Sequence, residues 1–76
     1  MGPYVMFVEC TLISTDDEHK SGPILLDANS EKEASSAAKA VADFAFDKIA
    51  SRVIVRIVSG DSGGRPIAEI RRPISN

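Results

Sequence analysis

The longest patterned segment of the chain is residues 30–50, where apolar side chains recur at helical spacing. Ser30, followed three residues later by Glu33, is the pattern of a capping box, with Asn29 as a competing cap. The body is rich in alanine, the best helix former, and Glu31 adds negative charge in the first turn. The sequence therefore predicts one helix over 30–50. Its buried stripe is expected to contain Ala34, Ala37, Ala38, Val41, Phe44, Ala45, the stem of Lys48, and Ile49.

Phe46 lies off this predicted stripe, roughly 140° from Val41 at 100° per residue. We expect its ring to wrap onto the edge of a sheet. The alternative is an exposed apolar contact.

Four other segments have the alternation and turn boundaries of β-strands. They are residues 4–14, 23–27, 52–59 and 66–72. The second is short, and a loop anchored by Leu25 and Leu26 is the alternative interpretation. Residues 15–22 are entirely polar or glycine and predict a loop, whereas the glycine-rich residues 60–65 predict a hairpin turn.

These elements predict a single α+β domain over residues 1–76, in the order β-(β)-α-β-β. The helix is expected to cover one face of a three- to four-stranded, mainly antiparallel sheet. The face without a helix would still carry large apolar side chains, and contiguous apolar surface usually marks an interaction site. We therefore expect a protein-interaction module whose partner is itself or another protein. The predicted contact residues are Val5, Phe7, Ile13, Ile54, Val58 and Ile67.

The composition is that of a globular protein, with 43% hydrophobic and 26% charged residues. One cysteine excludes a disulfide within the chain and suits a reducing compartment. The longest apolar runs are shorter than a membrane span, and no basic segment precedes an apolar one at the start of the chain. The sequence therefore predicts a cytoplasmic protein that does not bind membranes.

Charge is distributed unevenly along the chain. Residues 1–38 contain seven acidic and two basic residues, whereas residues 39–76 contain four acidic and seven basic ones. Arginines near the predicted final hairpin could contact phosphates, which makes a small nucleic-acid-binding or regulatory protein the alternative function. Base-stacking aromatic residues do not accompany them, and Glu69 would partly neutralise them. The arginines are Arg52, Arg56, Arg65, Arg71 and Arg72.

The string Gly-Asp-Ser-Gly-Gly at residues 60–64 matches the segment around the nucleophile of trypsin-like serine proteases. His19, Asp27 and Ser62 even follow that family's chain order. The triad needs two β-barrels to align its members, and 76 residues with a long helix cannot supply them. Ordinary turn chemistry, in which Gly63 and Gly64 permit positive φ, is the better interpretation.

Other candidate chemistry is equally weak. Residues 16–19 place three acids beside a histidine, but metal ligands usually come from separate elements, so a solvated acidic loop is expected. Cys10 lies on an apolar strand face, where a small buried hydrophobe is the usual role, and the one histidine is expected in a loop beyond that strand's end. The sequence therefore predicts no catalytic residue, no metal site and no cofactor, and a protein that is not an enzyme.

Several segments together carry a resemblance to a known family. They are residues 4–8, 16–22, 26–27, 31–38 and 53–70, which include the turn Gly64-Arg65-Pro66. In these segments the chain resembles a family of short, uncharacterised proteobacterial α+β proteins that are common in rhizobia. The resemblance implies the same fold and no transferable activity. The chain departs from the family in a longer first strand and a longer loop after it.

Overall fold

A computed structural model describes residues 3–60 and 63–74 of the chain. One helix packs on one face of an open antiparallel sheet, which confirms the predicted α+β class. Among the described residues the sheet has five strands rather than the predicted three to four, because an additional short strand precedes the predicted second one. The elements are β1 (Tyr4–Leu12), β2 (Glu18–Lys20), β3 (Ile24–Leu26), α1 (Glu31–Lys48), β4 (Ala50–Ser59) and β5 (Pro66–Arg72).

The sheet has the strand order β2-β1-β4-β5, and β3 also pairs with β1. The two short strands share one edge of β1, since β2 pairs with its second half and β3 with its first. Ser21 bridges the gap between them. Its backbone N–H donates to the Val8 carbonyl at 2.8 Å, and its Oγ accepts from the Val8 N–H at 2.9 Å. The edge is therefore hydrogen-bonded at both short strands and at the residue between them.

The structure corrects the first strand and the loop after it. β1 ends at Leu12 rather than residue 14, and a turn follows in which Asp16 has a φ of 59°. Aspartate tolerates this left-handed conformation better than most residues. The expectation that 15–22 is only a loop was wrong, because residues 18–20 form β2. For residues 23–27 the strand interpretation is confirmed by β3.

The start of α1 follows the predicted capping box with one change. The Ser30 Oγ accepts from the Glu33 N–H at 3.2 Å, but Glu33 Oε2 accepts from the Asn29 N–H at 2.7 Å, one residue before the cap. The helix ends at Lys48, and the Ile49 N–H donates to the Ala45 carbonyl at 2.9 Å. Local side-chain and backbone hydrogen bonds therefore set both ends.

The buried stripe of α1 consists of alanines and is rotated from the predicted one. Its buried members are Ala34, Ala38, Ala42 and Ala45. Phe44 is 65% exposed and Ile49 is 51% exposed, so placing them in the stripe was wrong. Phe44 points roughly 120° away from the centre of the alanine stripe at 100° per residue. Alanines let the helix lie close to the sheet, and a phenylalanine beneath it would hold it away.

The core lies between this alanine stripe and the middle of the sheet. Val53, Val55 and Ile57 are fully buried, and Met6 is nearly so. The helix lies mainly over β4 and β5 and only partly over β1. Phe46 is half-buried and packs against the core, so it is not the exposed apolar contact of the alternative interpretation. The helix is therefore off-centre, and this decides which surfaces stay open.

Candidate interaction surface

The sheet face opposite the helix, called here the outer face, carries an unbroken apolar row. Directly paired residues of an antiparallel sheet lie on the same face. The register pairs Leu25 of β3 with Val5 of β1, Val5 with Val58 of β4, and Val58 with Pro66 of β5. Leu25 is 72% exposed, whereas Val5 and Val58 are half-buried among their neighbours. These four residues, the apolar row, cross four strands on the face opposite α1, which is the one helix among the described residues.

The structure brings most of the predicted contact residues together. Val5, Phe7, Ile54 and Val58 lie on the outer face, and the register places Phe7 opposite Arg56. Ile13 lies instead in the turn after β1, where its N–H donates to the Ile49 carbonyl at 2.9 Å.

Ile67, the remaining predicted contact residue, lies where the β4–β5 register shifts, and it packs against the core. One further residue of the outer face was not predicted. Leu25 joins the apolar row only because of its pairing with Val5, twenty positions away in the chain, so no local pattern could have identified it.

Beside the apolar row lies a ladder of alternating charges. Arg56 donates from Nη1 to Glu9 Oε1 at 2.8 Å and from Nε to Glu69 Oε1 at 2.9 Å. Arg71 donates from Nε to Glu69 Oε2 at 2.9 Å. We call Glu9, Arg56, Glu69 and Arg71 the ionic ladder. Each arginine in it is hydrogen-bonded to a carboxylate.

These bonds shift the titration of two members of the ladder. The hydrogen bond to Glu9, and then the one to Glu69, raises the pKa of Arg56 above its ordinary value. The hydrogen bond from Arg71, and then the one from Arg56, lowers the pKa of Glu69. Each group is therefore held in its charged form.

The other predicted arginines do not form one cluster with the ladder. Arg72 is paired with Val53 on the helix side of the sheet, and its Nε donates to Asp43 Oδ1 at 2.7 Å. Arg52 lies opposite Thr11 on the outer face, and Arg65 precedes β5. Within residues 3–60 and 63–74, neither Arg52 nor Arg65 forms an ion pair. The hairpin is thus not a continuous basic surface.

The remaining chemical candidates have the following positions. His19 was expected in a loop beyond the strand end; it is instead in β2, directly opposite Cys10, which is half-buried. In the part of the chain that the structure describes, no three His, Cys, Asp or Glu side chains are grouped to hold a metal. Ser62 lies outside the described residues. Gly63 and Gly64 have φ values of 65° and 85°, which confirms the predicted positive-φ turn.

Two further findings bear on function. Among the described residues, α1 is the one helix, and it is too polar for a membrane span. Comparison with known proteins found no matching family model, no matching curated protein and no matching solved structure.

Proposed function

We propose that this chain is a non-enzymatic protein-interaction module that self-associates through its outer face. The observation that carries the proposal is the apolar row, which runs across four strands and is not covered by any element of residues 3–60 and 63–74. One face of an antiparallel sheet can be open to water, but that face then normally carries polar residues. A contiguous apolar strip on such a face is typical of a protein contact.

The geometry of the row favours a second copy of the chain as its occupant. A two-fold axis parallel to the strands, between β1 and β4, would place β1 of one copy over β4 of the other. Val5 would then meet Val58 of the second copy, and Leu25 would meet its Pro66. The apolar rows of the two copies would therefore cover each other, as an isologous contact requires. Sheets packed face to face lie about 10 Å apart.

The ionic ladder favours protein over nucleic acid as the partner. Arg56 and Arg71 already donate to carboxylates, so a phosphate would have to compete with Glu9 and Glu69 for them. Binding to nucleic acid gains its affinity from cations that neutralise phosphates. We place the module in the cytoplasm, because its one cysteine suits a reducing compartment.

Light scattering over a wide concentration range tests the proposal. Leu25→Asp should lower the assembly mass, whereas Ile74→Asp should not, although both side chains are about equally exposed, at 72% and 70%. A mass of 8.1 kDa for the wild type at every concentration would contradict self-association.

The same preparation tests the alternative function. Nucleic-acid binding should be measured over a range of salt concentrations, in the wild type and in the Arg56→Ala, Arg71→Ala double variant. If binding weakens steeply with salt and is lost in the double variant, the alternative function is supported.

A further inference from the structure

The side of α1 that faces away from β5 is a partly exposed apolar surface. The ion pair between Arg72 of β5 and Asp43 identifies the side of the helix that faces β5, and Phe46 packs on that same side. Phe44 lies on the opposite side and is 65% exposed. The helix is off-centre, so this side overlooks the part of β1 that it does not cover.

Six residues of α1 fall within an arc of about 100° on this side. Ala37, Ala40, Val41 and Phe44 form its apolar centre, and Glu33 and Lys48 lie at its two ends. Ala40 and Phe44 are exposed, whereas Ala37 and Val41 are half-buried and Val41 also packs against the core. We call these six residues the Phe44 flank.

The Phe44 flank is complementary to itself when reversed. Its members pair off at equal distances from the midpoint of the flank, between Ala40 and Val41. When two copies of the helix lie antiparallel around that midpoint, Phe44 of one meets Ala37 of the other, and Glu33 meets Lys48. A large side chain thus faces a small one, and a negative charge faces a positive one.

We infer that the Phe44 flank is a second self-association surface, occupied by the same flank of another copy in an antiparallel pair. Small residues at 37 and 40 let two helices approach closely, and the exposed ring of Phe44 gains burial. Glu33 uses Oε2 for the Asn29 N–H at 2.7 Å, which leaves Oε1 for a partner's cation. Lys48 is held by Asp47 at 3.3 Å in an exposed pair, which is weak and easily exchanged.

This inference deepens the proposed function and partly rests on it. The outer face and α1 lie on opposite layers of the domain, so the two contacts do not compete. A dimer formed through one surface still presents two free copies of the other. With both contacts present, assembly therefore continues past the dimer, either into a closed ring or into a filament.

The experiment measures the assembly mass of variants that block each surface. Phe44→Asp should weaken the helix contact about a hundredfold, because it removes a central aromatic anchor. Lys48→Glu places a carboxylate against Glu33 at both ends of the pair and should weaken the contact on the order of tenfold. Lys39→Glu is the matched control. It makes the same charge change as Lys48→Glu, but Lys39 lies about 150° around the helix from the centre of the flank. It should leave the mass unchanged.

A charge reversal gives a stricter test of the antiparallel pairing. Adding Glu33→Lys to Lys48→Glu restores opposite charges across the contact, so it should recover much of the association. Circular dichroism would show whether this variant keeps its helix, because Glu33 also caps α1. If the cap fails, Lys48→Glu and Phe44→Asp still decide the matter.

The outcomes separate the two surfaces. In the Leu25→Asp background the helix contact should leave a dimer of two 8.1 kDa chains, and adding Phe44→Asp should yield the monomer. If Leu25→Asp alone is monomeric, the helix contact is overturned and the proposed outer-face contact stands. If Leu25→Asp leaves the assembly mass unchanged while Phe44→Asp gives the monomer, the outer-face contact is overturned and the helix contact stands. A wild type that is monomeric at every concentration overturns both.

Discussion

Two isoleucines on one strand give the sharpest test of how the layers are arranged. Ile57 faces the helix and is fully buried, whereas Ile54 is half-buried on the outer face. Ile57→Ala removes three carbons, which are worth about 2.4 kcal/mol of transfer free energy. Because the substitution also leaves a cavity, the free energy of unfolding should fall by roughly 3–4 kcal/mol. A chain of 76 residues has a total stability of about 4–11 kcal/mol. The variant should therefore lose about a quarter or more of its stability.

Urea unfolding at low protein concentration measures these losses in the free energy of unfolding. The slope of that free energy against urea concentration should be the same in the variants as in the wild type. Ile54→Ala should cost about 1 kcal/mol, and Ile74→Ala, at an exposed position, less than about 0.5 kcal/mol. Equal losses for Ile54→Ala and Ile57→Ala at low concentration would refute a helix on one face only. A loss for Ile54→Ala that grows with concentration is expected if a second copy covers the outer face.

Three further predictions concern the helix and the ionic ladder. Ser30→Ala removes the acceptor of the Glu33 N–H and should cost about 1 kcal/mol, measured by thermal unfolding. Ala38 is fully buried between helix and sheet, so Ala38→Leu overpacks this contact and should lower the free energy of unfolding by about 1–3 kcal/mol. An unchanged stability would mean that the helix can move away from the sheet freely. Because the pKa of Glu69 is lowered in the folded state, the stability that it contributes is present above its ordinary value of 4.5 and is lost as pH falls below it. An acid titration of Arg56→Met should accordingly show a smaller loss of stability across that range than the wild type, and identical curves would contradict the ladder's role.

The sequence predicted those features that depend on neighbours in the chain. The cap at Ser30 needs only the residues around it, and the predicted start was within one residue of the observed one. The strand Pro66–Arg72 was predicted with its observed bounds, because prolines at 66 and 73 limit pairing at each end. Local steric and hydrogen-bonding rules are sufficient for such boundaries.

Features that depend on distant residues were missed. Residues 18–20 have no apolar pattern, and they form a strand because the second half of β1 offers an open edge. The rotation of α1 follows from four alanines acting together, although each contributes little to a hydrophobic pattern, so the bulky Phe44 dominated the prediction. For the candidate surface, alternation along β1 and β4 placed Val5, Phe7, Ile54 and Val58 correctly on one face.

The ion pair between Arg56 and Glu9 could not be predicted, because it depends on strand register. Arg56 meets Glu9 across 47 positions of the chain, and Glu69 across 13. The sequence predicted that Glu69 would partly neutralise the arginines, but it could not show that Glu9 of β1 also binds Arg56. A basic segment in sequence became a balanced surface in the fold.

The width of the sheet explains why a chain of this size leaves two apolar surfaces open. Four strands about 4.8 Å apart span roughly 15–19 Å, whereas a helix with side chains is about 10–12 Å across. One helix of 18 residues therefore cannot cover even one face. The alanine stripe draws it close over β4 and β5, and Val8, Cys10 and Leu12 of β1, which the helix covers only partly, stay half-buried.

A second helix would complete the helix layer, and a second sheet would cover the outer face. Since small domains bury too little surface alone, association that supplies either layer would stabilise the fold itself, and folding and assembly should be coupled.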